Sequence, residues 1–358
     1  MRSELSIEMR EEKAAEVAAE RDALAPPTAT RFEKRIIETL CEPLLPRIPA
    51  SVHPNTISLV THAIAWTTAA LAVGSVFAET PLRSLMLVGA GVGTLLSMIG
   101  DCIDGMHARR TDQCSKLGEM MDHWLDAIIV PLTIGGITVA LEMPTWALIL
   151  VCTTAIMIYQ AQLVLYHHTG KFIHPEPASG VEGQFSIAIA YVALAVLFFF
   201  SPRHVAWLDL AIGLLAAAGI FVQMRCNWFY YVRLGAHITR HLNFVAMLGS
   251  LSLLHTLGAV DLFGFLFGLV FISFRISGTY VLRTIVGRSF DGNDWGIYAF
   301  LGVMAVAHMG VLSTGASLPG VGETDLATAL PYLMGLYVLG RNFADFARHY
   351  PALRPTSG

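Results

Sequence analysis

Charge is scarce in this chain: only 14% of its 358 residues are Asp, Glu, Lys or Arg, against about 25% in ordinary soluble domains. Its net charge of −4 leaves no basic surplus of the kind a nucleic-acid binder carries, so no nucleic-acid partner is expected. Cysteine is sparse too. The five thiols, Cys41, Cys102, Cys114, Cys152 and Cys226, show no Cys-x2-Cys and no paired spacing, which excludes a disulfide framework. All five are read as structural. Residues 1–25 are helix-prone and charged, without an apolar core and small-residue cleavage site, so no signal peptide is expected there. No internal repeat is visible, nor a pair of Gly/Pro-broken spans in two halves, which argues against a secondary transporter.

Apolar length takes the place of charge. Hydrophobic residues make up 54% of the chain, and ten stretches approach the roughly 20 residues a bilayer crossing needs. They lie near 55–78, 82–105, 117–140, 144–166, 183–201, 205–231, 241–259, 261–284, 296–316 and 326–347. Between the seventh and eighth only Gly258 to Asp261 supplies a turn. The expected fold is all-α: a polytopic membrane protein of about ten transmembrane helices. With the N-terminus inside, 21 of 23 Lys and Arg fall on the cytoplasmic side, leaving Arg83 and Arg203 outside. Ahead of the spans, Arg31 to Leu45 places Phe32, Ile36, Ile37, Leu40, Leu44 and Leu45 on one side. That pattern predicts an N-terminal amphipathic helix, lying in the membrane interface or packed on the bundle. Gly89, Gly91 and Gly93, inside a span, read as small-residue helix packing rather than a nucleotide loop.

The chemistry concentrates between residues 101 and 126, in the run DCIDGMHARRTDQCSKLGEMMDHWLD. Asp101 and Asp104 share a helix face, with Gly105 and Ala108 continuing it. Gly118, Asp122 and Asp126 form a matching stripe on the next helix. Facing each other, the two helices would bring four carboxylates into one small volume. Each close pair at about 4 Å would repel by roughly 4 kcal/mol at an intermediate dielectric. A hard divalent cation, or two, between the helices would relieve that repulsion. The competing readings are helix-end carboxylates neutralised by Arg109, Arg110 and Lys116, or a carboxylate-lined transporter.

This spacing resembles the signature of the CDP-alcohol phosphotransferases, with Asp101, Asp104, Gly105, Ala108, Arg109, Gly118, Asp122 and Asp126 at the fixed positions. Arg110, Thr111, Leu117, Glu119 and His123 extend the likeness toward the choline/ethanolamine branch, as does His53-Pro54-Asn55-Thr56-Ile57 at the mouth of the first span. So does Tyr166-His167-His168-Thr169-Gly170 followed by Gly180-Val181-Glu182-Gly183, although Val181 follows Gly where that branch has Pro.

The resemblance implies transfer of phosphocholine or phosphoethanolamine from a CDP-alcohol to diacylglycerol, with release of CMP. By the same likeness Asp101, Asp104, Asp122 and Asp126 would hold Mg²⁺ or Mn²⁺, as two ions, and His123, Asp126 and Glu182 would be catalytic. Asn55, Gly105, Ala108, Arg109 and Gly118 would bind substrate, and a homodimer is the family's expected assembly. Residues 1–50 then form cytoplasmic or interfacial helices, 51–232 the catalytic helices and 233–358 the helices completing the bundle. The active site would face the cytoplasm of a bacterial inner membrane, or of the endoplasmic reticulum in a eukaryote. The alternative donor is CDP-diacylglycerol, with serine, inositol, choline or glycerol phosphate as acceptor. His167, His168 and His174 fit no closed zinc site and read as interfacial. Arg225, Asn227, Arg275, Arg341, Asn342 and Asp345 either line a lipid cavity or snorkel.

Overall fold

A computed structural model describes residues 30–170, 180–200, 239–290, 292–314 and 323–353, with isolated positions between 214 and 232. The described residues form helices and no strand. A short helix α1 (Arg31–Ile36), prolonged by a π-helical turn (Ile37–Cys41), precedes α2 (Pro54–Gly74), α3 (Leu82–Arg110), α4 (Lys116–Ala140) and α5 (Thr145–Thr169). Then follow α6 (Gly180–Phe200), α7 (Thr239–Thr256), α8 (Leu262–Ile285), α9 (Trp295–Thr314) and α10 (Glu323–Leu353). Nine of the ten expected spans thus coincide with helices; the sixth, 205–231, lies mostly outside the described residues. The helices α2 to α6 and α8 are long and apolar enough to cross a membrane. The chain is a polytopic all-α membrane protein.

Local chemistry sets the helix starts. His53 caps α2, its Nδ1 accepting from the Asn55 amide at 3.2 Å, and Pro54 occupies the first turn, where its missing N–H costs nothing. The Ser115 hydroxyl caps α4 by accepting from the Gly118 amide at 3.0 Å. Asp261 caps α8 through the Gly264 amide at 2.7 Å, and Gly258, at φ +78°, makes the turn that separates α7 from α8. That boundary was the one the sequence marked most weakly.

Small residues let the first spans approach. A Cβ on Gly93 or Gly100 would overlap the hydroxyls of Thr68 and Thr61 on α2, and one on Gly91 would meet the Ala188 carbonyl of α6 at 2.9 Å. Helix α3 is therefore wedged between α2 and α6, which fixes where its acidic end emerges. Helix α8 is central to the C-terminal half, buried continuously from Gly268 to Leu282, and it packs on α4, α5, α7 and α10.

The expected amphipathic helix is shorter than its pattern. Regular α geometry runs only to Ile36. Ile36 and Cys41 are buried against the bundle, while Phe32 and Leu44 stay exposed. Packing on the bundle and an apolar outer face coexist in this element.

Candidate active site

The two acidic stripes face each other across the α3–α4 hairpin. Ligand oxygens of Asp101, Asp122 and Asp126 lie within 4.8 Å of one another. At that separation each pair of unit charges repels by about 3 kcal/mol at an effective dielectric near 20. Asp104 is held differently: it is buried, and its Oδ2 accepts from the Ser58 hydroxyl of α2 at 2.5 Å. Sequence reasoning missed Ser58, although it shares a helix face with Asn55, three residues earlier.

The acidic cluster has no direct ion pair with a neighbouring cation among the described residues. Among the described residues no Lys or Arg nitrogen lies within 4 Å of Asp101, Asp104, Asp122 or Asp126. Arg110 instead donates to the carbonyls of Leu45 and, at 2.5 Å, Ile48. With His107 bonded to the Val52 carbonyl at 2.8 Å, it fastens the end of α3 to the segment leading into α2. Asp101 Oδ1 is buried and accepts no hydrogen bond from a described residue. A buried carboxylate oxygen without a donor, beside two other carboxylates, is the donor set a hard divalent cation requires.

A cavity of about 430 Å³ opens beside this cluster. Asn55, Asp104, Gly105, Ala108, Arg109, Gly118 and Asp122 line it, so every residue expected to bind substrate stands on one wall system. Ser58, Lys116 and Glu119 line it as well. Gly105 and Ala108 leave the α3 backbone accessible, and the Arg109 guanidinium folds back along it: a Cβ on Gly105 would stand 3.4 Å from Arg109 Nη1. Gly118 keeps room for Asn55, whose Oδ1 would lie 3.3 Å from a Cβ there.

His123 sits one residue beyond Asp122, with its Nδ1 3.8 Å from Asp122 Oδ2. Helix α5 steadies this turn. Tyr159 donates to the His123 carbonyl at 2.8 Å, the Tyr166 ring meets the imidazole edge-on at 5.5 Å, and Tyr166 donates to Glu119 Oε1 at 2.6 Å. The sequence gives no spacing signal for either contact, because both reach from α5 to a different helix. Glu182, in the first turn of α6, accepts from the Thr30 hydroxyl at 2.5 Å. His167 Nδ1 is bonded to Thr284 Oγ1 at 2.8 Å, and His174 lies outside the described residues.

Arg275, Asn342 and Asp345 correct the sequence reading. They line no lipid cavity and do not snorkel: all three are buried together. Arg275 donates to Asp294 at 2.6 Å, Asp345 at 2.7 Å and Asn342 at 3.0 Å, and Tyr337 donates to the other Asp294 oxygen at 2.8 Å. A charge in mid-helix is tolerated because two carboxylates meet it.

Comparison with known proteins agrees with this site. Residues 52–229 match the family model described as CDP-alcohol phosphatidyltransferase. Cholinephosphotransferase 1 of Mus musculus is 31% identical over 166 residues, which cover 44% of this chain and 38% of that protein. The Bos taurus protein of that name is 34% identical over 105 residues (28% of this chain, 25% of that one), and the Saccharomyces cerevisiae protein 30% over 106 residues (29% and 27%). The chain thus spans well under half the length of these relatives. The match contains the hairpin with its eight signature positions, the capped start of α2 and the first turn of α6, and on that ground the chain belongs to the CDP-alcohol phosphatidyltransferase family.

Proposed function

We propose that this protein transfers phosphocholine or phosphoethanolamine from a CDP-alcohol to the free hydroxyl of diacylglycerol, releasing CMP. The observation that carries the reading is the cluster of Asp101, Asp122 and Asp126 at the edge of a cavity walled by Asp104, Gly105, Ala108 and Arg109. The likeness to proteins named cholinephosphotransferase 1 supports the choice of donor.

Asp101, Asp104, Asp122 and Asp126 would hold Mg²⁺ or Mn²⁺, as two ions, which supply positive charge to the diphosphate oxygens and to departing CMP. The chain's own residues do the rest. Arg109 makes no ion pair with a described residue and reaches over the open α3 backbone, so its planar fork is available to a phosphate. Gly105, Ala108 and Gly118 leave space for the nucleotide, and Asn55 borders it. The acceptor oxygen attacks the phosphorus bearing the amino alcohol; the P–O bond to CMP breaks, and CMP takes the electron pair. The hydroxyl proton passes to His123, whose neutral imidazole can take it as a general base. Glu182 assists on the α6 side. Asp126, among three other carboxylates, is kept as a ligand. The site faces the cytoplasm, where soluble CDP-alcohols are at hand.

The test is CMP release and lipid product from the purified full chain in detergent–lipid micelles with Mg²⁺ or Mn²⁺ and diacylglycerol, supplying CDP-choline and CDP-ethanolamine separately. A diacylglycerol-dependent phospholipid confirms the reading and names the headgroup. Turnover of CDP-diacylglycerol with a small alcohol, and of neither CDP-amino alcohol, reverses the roles of donor and acceptor. Cation binding without CMP from any donor sinks the transferase reading.

A further inference from the structure

Asp122 and Asp126 occupy one face of α4, four residues apart. Trp124, midway between them, lies about 200° round the helix and so on the opposite face. That face meets the C-terminal half of the molecule, which lies outside the family-matched segment 52–229. The indole enters a notch at Gly278 of α8: a Cβ on that glycine would stand 1.9 Å from Trp124 Nε1 and 2.0 Å from Cδ1, so the indole or one of the helices would have to shift. Phe274, one turn earlier on α8, stacks on the indole at 5.1 Å and 17°; Phe346 of α10 stacks at 6.2 Å and 24°.

The aromatic clamp is itself fixed. Phe274 precedes Arg275 and Phe346 follows Asp345, the two ends of the buried ion pair at 2.7 Å. A second contact keeps the register one turn further on, where Ser273 donates to the Ala127 carbonyl at 3.0 Å. The indole N–H, although buried, donates to no described residue. A phenylalanine there would spare an unsatisfied buried donor, so hydrogen bonding does not explain the tryptophan. Its shape in the notch does.

We infer that Trp124, seated in the Gly278 notch and clamped by Phe274 and Phe346, is a positioning residue that sets the rotation of α4 and so aims Asp122 and Asp126 at Asp101. The C-terminal helices on this account act as the template for the cation site, not only as lipid-facing bulk. The inference rests on the proposed cation-dependent reading of that site. Rotating α4 by the width of one methyl group would move carboxylate oxygens by ångström-scale distances, and partners that orient ligands from behind typically change metal affinity by about 10–100-fold.

The measurement is Mn²⁺ binding to the purified full chain without substrate, by electron paramagnetic resonance of free Mn²⁺, alongside thermal unfolding and CMP release. Gly278→Ala should weaken Mn²⁺ binding by about tenfold and lower kcat, leaving KM for the CDP-alcohol within about twofold. Trp124→Phe should show a smaller loss of the same kind. The double variant Gly278→Ala with Trp124→Phe should bind Mn²⁺ better than Gly278→Ala alone, because the smaller ring makes room for the methyl group. Wild-type Mn²⁺ affinity in folded Gly278→Ala and Trp124→Phe, whatever their melting temperatures, would overturn the positioning role. Absence of CMP release by the wild type together with weakened Mn²⁺ binding in Gly278→Ala would sink the transferase reading and leave this inference standing.

Discussion

The hydroxyl of Thr30 donates to Glu182 Oε1 at 2.5 Å while accepting from the Glu33 amide at 3.0 Å. One side chain thereby caps α1 and ties that helix to the first turn of α6, with Phe32 and Phe185 packed edge-to-face at 5.6 Å beside it. The hydroxyl's single proton goes to Glu182 while one of its two lone pairs serves the cap. Thr30→Val removes both bonds, worth about 1 kcal/mol for the cap and about 1.5–3 kcal/mol for the bond to a carboxylate. Turnover should fall about tenfold and return with Thr30→Ser. Unchanged CMP release by Thr30→Val, with Glu182→Gln inactive, would free Glu182 from this control.

Loss of a carboxylate at the cluster should act through the cation. Asp101→Asn or Asp122→Asn is expected to lower kcat by at least about 100-fold and to raise the Mn²⁺ concentration needed for half-maximal activity. Chelation should abolish activity in the wild type and added Mg²⁺ or Mn²⁺ restore it. Persistence of activity in excess chelator would remove the cation from the mechanism.

His123 and Asp126 can be told apart. His123→Ala should reduce kcat by about 10²–10⁴-fold, the usual range for a lost general base, while Mn²⁺ binding stays near wild type. Asp126→Ala should lose Mn²⁺ binding as well. Near-normal turnover in His123→Ala, with Asp126→Ala dead, would move the base to Asp126.

Arg109→Lys keeps the charge and loses the bidentate fork. KM for the CDP-alcohol should rise about tenfold, in line with about 1.5 kcal/mol for a charge-assisted hydrogen bond, with a smaller effect on kcat. An effect confined to kcat would place Arg109 on the leaving phosphate and not on the bound nucleotide.

Stability in acid should report the Arg275 network. Burial by itself would raise the Asp294 carboxyl, but hydrogen bonds from Arg275 and Tyr337 outweigh it and hold the group below the usual carboxylate range. A depressed pKa in the folded state contributes stability above the unfolded value, about 3.9, and that contribution is lost as pH falls through the folded value. The melting temperature should therefore drop below about pH 4, and Asp294→Asn should flatten the drop. Arg275→Met, which strands two buried carboxylates, should cost about 3–5 kcal/mol. An unchanged melting temperature would show the network to be dispensable.

Much of the active site was legible as a linear pattern. Asp101, Asp104, Gly105, Ala108, Arg109, Gly118, Asp122 and Asp126 stand at helical spacings, and a hairpin of two helices is enough to bring them to one place. The bilayer spans were legible because an apolar run is local in the chain, whereas the caps at Ser115 and Asp261 were seen only in the structure. The sequence by itself determined the membrane class, the carboxylate stripes and the glycines between α2, α3 and α6. Only the tertiary structure decided that Ser58 singles out Asp104, that Thr30 holds Glu182, that Arg275 meets Asp294 and Asp345, and that Trp124 fills the space left by Gly278. Each of these joins side chains far apart in the chain, and no periodicity encodes such a pairing. It exists only once helices distant in the chain have packed, when the desolvated groups must find partners within reach.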